Sequence, residues 1–118
     1  MLLWGKITKY SHLEEMFDTL RRRNITTAQF HLMLILASRG DEWTSLQDLT
    51  KQMQKNRNTR VVQSSVSRAI QNLGETNRYG KDGHDMLEIR GDVNDGRLVM
   101  FRLNRRGIKL VDDLTMKL

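Results

Sequence analysis

The chain contains no cysteine. That excludes disulfides, a thiol redox sensor and a cysteine-bound zinc, and it suits a reducing compartment. Long apolar runs are missing as well. The longest, Leu32 to Ala37, is far too short to cross a bilayer. The opening MLLWGKITKY lacks the extended apolar core of a secretion signal. The expectation is a cytoplasmic protein with no membrane partner. Catalytic groupings are absent too. His12, His31 and His84 are scattered without the spacing of a metal site such as HExxH. Glu14-Glu15 and Asp112-Asp113 are adjacent pairs, which on a helix point apart. No glycine-rich phosphate loop occurs. The sequence therefore predicts a protein that is not an enzyme and carries no cofactor or metal.

Negative charge is scarce where it matters most. Lysine and arginine number 20 against 14 acidic residues, a net +6, which favours anionic partners such as nucleic acid. Between Lys51 and Gly74 there are five cations (Lys51, Lys55, Arg57, Arg60, Arg68) and no acid. At 118 residues, without repeats, low-complexity tracts or an interdomain linker, the chain reads as a single domain over 1–118.

The stretch Asn58 to Gly74 organises that domain. Val62, Val66, Ala69, Ile70 and Leu73 recur at helical spacing and form one apolar stripe. Opposite them lie Arg60, Gln63, Ser64, Ser67, Arg68 and Gln71, a polar, partly cationic face without acids. Such side chains bond base edges and phosphates: arginine to guanine, glutamine to adenine, serine to either. The competing reading is the solvated side of an ordinary amphipathic helix. Either the preceding Gln54 to Arg60 is a basic loop, or the helix starts early at Asn58 or Thr59. Both place Lys55 and Arg57 near the backbone of a bound duplex.

The neighbouring segments give that helix a context. Ser11 with Glu14 fits a capping box for a first helix reaching about Arg23, with Leu13, Met16, Phe17 and Leu20 inward. Residues 1 to 10 fit an arm, a short strand or a first helical turn. The run Arg21-Arg22-Arg23 suits the negative end of the helix dipole. Thr26 with Gln29 caps a second helix, Thr27 to Ser38, apolar nearly all round and stopped by Gly40; His31 on it is expected to be half-buried. Thr44 with Gln47 caps a third helix with Leu46, Leu49 and Met53 buried. Thr44 and Ser45 at its start also offer backbone N–H groups to phosphate. Trp4, Tyr10 and Trp43 line a small aromatic pocket or belong to the core.

After a loop from Glu75 to Asp85, Met86 to Arg90 and Leu98 to Leu103 alternate as strands, with Leu87, Ile89, Val99, Phe101 and Leu103 on one face. Asn94-Asp95-Gly96 marks the hairpin turn between them. Arg97 beside it has the charge to enter a minor groove, or to pair with Asp92 or Asp95. Asn104 caps a last short helix with Ile108, Val111 and Leu114 or Leu110 inward. Two helices, a second one with a polar face, then a hairpin: the expected class is α+β, mostly helical, a winged helix-turn-helix with a two-stranded β-hairpin wing.

In this arrangement the sequence resembles the MarR type of winged-helix transcriptional regulator. ITTAQFHLMLIL is similar to the family's second helix, TSLQDLTKQM to the first helix of its helix-turn-helix and SSVSRAIQNLG to its recognition helix. NDGRLVMFRLNRRGIKL is similar to its wing tip, second wing strand and following helix. There Asp95 and Arg97 match the wing-tip pair, and Leu103 and Gly107 match the family's LT..G pattern. The likeness spans about residues 25 to 112. It departs in a longer segment before the recognition helix, an extended loop before the wing and short terminal regions.

The resemblance implies sequence-specific binding of double-stranded DNA by a regulator. The expected contacts are Thr44, Ser45, Lys55, Arg57, Arg60, Gln63, Ser64, Ser67, Arg68, Gln71, Asn94 and Arg97. Two alternatives stand beside it: a replication or recombination accessory of a plasmid or virus, and a protein–protein interaction module. A homodimer is expected, built from 1–25 and 104–118, where Leu2, Leu3, Trp4, Ile7, Leu110, Leu114, Met116 and Leu118 look like spare apolar surface. The expected location is cytoplasmic and nucleoid-associated.

Overall fold

Thr26 begins the element that the rest of the molecule packs around. In the computed structural model its hydroxyl accepts from the N–H of Gln29, and the Gln29 side-chain oxygen accepts from the N–H of Thr26 at 2.8 Å. This is the reciprocal capping expected from the sequence. Helix α2 (Thr27–Ser38) follows, and Gly40, with φ +61°, turns the chain away from it. Phe30, Leu32, Met33, Ile35 and Leu36 are buried on several sides of α2, so it has partners nearly all round. His31, expected half-buried, is exposed.

The structure describes residues 2–55, 61–74, 83–91 and 99–116, and the side chains from residue 8 onward. Among them the order is α1 (Leu2–Arg22), α2, β1 (Thr44–Ser45), α3 (Leu46–Met53), α4 (Gln63–Leu73), β2 (Leu87–Gly91), β3 (Val99–Leu103) and α5 (Arg105–Thr115). The three strands form one antiparallel sheet in the order β1-β3-β2. Helices α3 and α4 pack against α2 on one side. The inner face of the sheet, Leu87, Phe101 and Leu103, closes another, and Leu110 and Val111 of α5 complete the core with Met16 and Leu20 of α1.

Several boundaries differ from expectation, each for a local reason. Helix α1 starts at Leu2, not near Ser11. Residues 2–10 hold no proline, and Gly5 costs only about 1 kcal/mol relative to alanine, so nothing there stops the helix. Met16 and Leu20 face inward, Leu13 partly, but Phe17 is 50% exposed. Thr44 does not cap α3, because it belongs to β1 and pairs with Phe101. Ser45 is the cap, accepting from the N–H of Asp48. Helix α4 begins at Gln63 because Val61 and Val62 are β-branched and Val62 is extended. Val62 is consequently 47% exposed and is not part of the buried stripe. Ile89 and Ile108, both expected inward, are exposed as well. Leu110 and Val111 take the inward side of α5, with Leu114 partly covered. The hairpin turn Asn94-Asp95-Gly96 lies outside the described residues.

Helix α5 opens as expected. The side-chain oxygen of Asn104 accepts from the N–H of Gly107 at 2.9 Å. Gly107 is buried there, and a Cβ on it would collide with the carbonyl oxygen of Met86. A close approach of two backbones, not helix propensity, selects glycine at this position.

Two stability measurements check this packing. Ile70, 1% exposed beneath α2 and α3, should lose about 2–5 kcal/mol on substitution by alanine, through lost burial and the cavity left behind; an unchanged denaturation midpoint would mean that α4 is turned the other way. Gly107→Ala should destabilise by about 1–3 kcal/mol through overpacking. Propensity alone would make it stabilising by about 1 kcal/mol, so the sign of the change in urea midpoint decides which effect rules.

Candidate nucleic-acid interface

Helix α4 is positioned from both ends and along one side. Val66, Ile70 and Leu73 are buried, with Ala69 partly so. The Gln29 side chain, itself buried, donates to the carbonyl of Ala69 at 3.4 Å. The residue whose oxygen caps α2 thus also ties α2 to α4. At the N-terminal end no side chain of the described residues caps the helix. Instead Gln54, just past α3, donates from Nε2 to the carbonyl of Val61 at 2.7 Å and closes the connection between the two helices. At the C-terminal end the N–H groups of His84, Asp85 and Met86 donate to the carbonyls of Asn72, Gly74 and Leu73. The last carbonyls of a helix have no partner within it, and these bonds supply one.

With the inner side fixed, helical geometry at about 100° per residue dictates what faces out. Ser64, Arg68 and Gln71 stand along the outward line and are exposed, and Gln63 is exposed in the first turn. Ser67 is half-buried, and its hydroxyl accepts from Nε2 of Gln71 at 3.4 Å. Asn72 is also exposed on this side; the sequence reading left it out, although its spacing of four from Arg68 placed it there. No acidic residue lies on α4. Lys55, two residues past α3, is exposed, as is Lys51 within it. Arg57, Arg60, Asn94 and Arg97 lie outside the described residues.

Two predicted contacts sit differently from the rest. Ser45 does stand at a helix start, where its side chain is committed to the N–H of Asp48. Thr44 does not. It is 1% exposed within β1, with Nη1 of Arg39 near its hydroxyl at 3.5 Å. Its side chain has no surface to offer a ligand.

The sheet beside α4 carries its own cluster on the outer face. The guanidinium of Arg102 stacks on the ring of Trp43 with its carbon 4.3 Å from the ring centroid, and that of Arg90 lies 5.2 Å away. Arg102 also pairs with Glu88, its cross-strand neighbour. Trp43 therefore belongs to the sheet surface, while Tyr10 stands 59% exposed on α1; the two do not share an aromatic pocket. Among the described residues no group of histidine or acidic side chains could hold a metal ion, and no helix is long and apolar enough to cross a membrane.

No family model matches the chain and no curated protein resembles it in sequence. The likeness is one of structure. A complex of MepR from Staphylococcus aureus with DNA superposes with a TM-score of 0.70 at 22% identity, covering 99% of this chain and 82% of that one. YusO from Bacillus subtilis matches with a TM-score of 0.66 at 15% identity over 98% and 71% of the two chains. The heme sensor PefR from Streptococcus agalactiae, in complex with heme, matches at 0.64 and 16% over 98% and 68%. Five helices and a small antiparallel sheet in this order are the winged-helix fold of MarR-type regulators, and this chain shares that fold.

Proposed function

We propose that this chain is a transcriptional regulator that binds double-stranded DNA, reading the major groove with α4. One observation carries the reading. The helix that follows α3 in a helix-turn-helix presents Gln63, Ser64, Arg68, Gln71 and Asn72 outward, without an acid among them, while Val66, Ile70 and Leu73 on its apolar side are committed to the core. A surface helix with those donors fits a groove lined by base edges. MepR, described as a transcription regulator of an efflux pump, has been solved on DNA with this same fold, which supports it. Lys55 is assigned a phosphate contact, and Arg57, Arg60, Asn94 and Arg97 retain the contacts assigned from sequence. Ser45, at the start of α3, keeps the backbone contact to phosphate expected from sequence, and Thr44, buried within β1 and not at the helix start, is dropped. A protein of this kind works in the cytoplasm, at the nucleoid.

The same reading includes a homodimer. Leu110 and Leu114, expected as spare surface, are taken into the core wholly or in part. Tyr10 and Phe17 on α1 and Met116 after α5 remain exposed, and seven residues apart on a helix Tyr10 and Phe17 share one side. A second copy covering that side would place two reading helices about 34 Å apart, one turn of DNA.

Duplexes selected by the wild-type chain from a randomised pool test both parts. Arg68→Ala should cost about 1–3 kcal/mol in binding and relax preference at one base pair. Lys55→Ala should weaken all duplexes alike and flatten the salt dependence by about one unit. Binding that survives combined alanine substitution of Gln63, Arg68 and Gln71 would show that α4 is not the reader. In sedimentation equilibrium the wild type should be dimeric. A variant with Tyr10→Glu and Phe17→Glu should dissociate by at least about 30-fold more readily, as expected for removing one interface hot spot. A wild type that stays monomeric at high concentration overturns the dimer.

A further inference from the structure

The segment Gly83 to Met86 touches two helices with opposite sides of its backbone. Its N–H groups point to the end of α4: His84 to the carbonyl of Asn72 at 3.0 Å, Asp85 to Gly74 at 2.9 Å, Met86 to Leu73 at 2.7 Å. Its carbonyls point to the start of α5. The carbonyl of Met86 accepts from the N–H of Asn104 at 3.0 Å, and that of Asp85 accepts from Nδ2 of Asn104 at 2.8 Å. The Asp85 carboxylate adds a contact of 3.4 Å to the same Nδ2 and one of 3.5 Å to Nη1 of Arg106. Glycine occurs on both sides of this seam because the chains approach so closely. A Cβ on Gly83 would overlap the carbonyl oxygen of Gly74, and one on Gly107 that of Met86.

Asn104 therefore does two separate jobs. Its oxygen caps α5 through the N–H of Gly107, while its nitrogen reaches across to Asp85. Capping needs only the oxygen, and an aspartate would supply it as well. The nitrogen does nothing for α5. What it holds is Asp85, a residue with φ +53°, a backbone conformation costly for most side chains and tolerated best by asparagine and aspartate. Asp85 and its neighbours in turn hold the last carbonyls of α4. Gln54 holds the start of α4 through the carbonyl of Val61, and these three bonds hold its other end.

We propose that Asp85 and Asn104 are positioning residues for the reading helix: the Asn104 Nδ2 bond fixes the 83–86 backbone, and that backbone fixes the end of α4 relative to α5. This rests on the assignment of α4 as the DNA reader. Neither side chain touches DNA in this scheme. A change in where α5 starts is passed to α4 through the backbone of 83–86, whose Met86 is itself buried in the core.

Asn104→Asp in the full chain separates the two jobs. It keeps the capping oxygen, removes the donor and sets a second carboxylate beside Asp85. With a duplex recovered by selection on the wild-type chain, affinity should fall about tenfold, in the usual range of coupling between sites, while the far-ultraviolet spectrum and the helical protection of α5 stay those of the wild type. Adding Asp85→Asn relieves the repulsion between the two carboxylates and lets its Nδ2 donate to the carboxylate at position 104, but it leaves the backbone carbonyl of residue 85 without its donor. The double variant, which also loses the exposed pair with Arg106, of little weight, should therefore stay weakened. Amide hydrogen exchange at residues 85 and 86 should speed up in both variants. Unchanged exchange there in Asn104→Asp, or full recovery of affinity and exchange in the double variant, overturns the proposal. If the wild type binds no duplex at all, the DNA reading fails instead, and exchange at those amides alone decides whether Asn104 holds the end of α4.

Discussion

Leu32, Met33 and Leu36 have almost no contact with water, and no single neighbour of α2 could have removed it. Burial of that helix takes α3 and α4 on one side, the inner face of the sheet on another and α5 beyond it. Each buried side chain of this size contributes about 1.5–3 kcal/mol, and together they outweigh the cost of ordering the small elements around them. A strand of two residues or a helix of eight is not stable by itself. Here β1 and α3 persist because α2 gives each a surface to complete. The outward side of α4 is a by-product of the same burial. Once Val66, Ile70 and Leu73 are committed to α2 and α3, Ser64, Arg68 and Gln71 have no direction left but solvent.

Polar groups do the finer adjustment, and they do it by sharing. Gln29 caps α2 and reaches α4; Gln54 lies at the end of α3 and holds the start of α4; Asn104 caps α5 and holds Asp85. Gln29 and Asn104 use the oxygen and the nitrogen of one amide on two segments, while Gln54 joins α3 through its backbone N–H and Val61 through its Nε2. An amide suits this work because it carries a donor and an acceptor at fixed separation without a charge to desolvate.

Much of this was legible in the residues. The stripe Val66, Ile70, Leu73 and the capping pairs at Thr26 and Asn104 are short-range patterns, and short-range patterns survive folding. What was not legible depended on distant partners. Thr44 looks like a cap until it pairs with Phe101, 57 positions later. Val62 continues an apolar period, yet its extended backbone ends the helix before it. Phe17, Ile89 and Ile108 fit inward patterns and are left exposed, because amphipathic spacing says which residues share a side and not how far the neighbouring element reaches. The three bonds from 84–86 to α4 could not be read at all, since backbone groups are the same in every sequence. Of the site itself, Gln63, Ser64, Arg68 and Gln71 could be picked from spacing, and Asn72 could have been.

Thr44 and Ser45 are the last residues before α3 and also a strand beside β3. The peptide that starts the helix is therefore part of the sheet, and Trp43 just before it lies under Arg90 and Arg102 of the other two strands. A sheet and a helix joined without a linker have no swivel between them. Whatever β2 and β3 lean against, α3 must follow. For a molecule that grips a partner with two parts at once, the relative angle of those parts is usually settled during association, at the expense of orientational freedom. Here, at the root of the sheet, that angle is already settled when the chain folds.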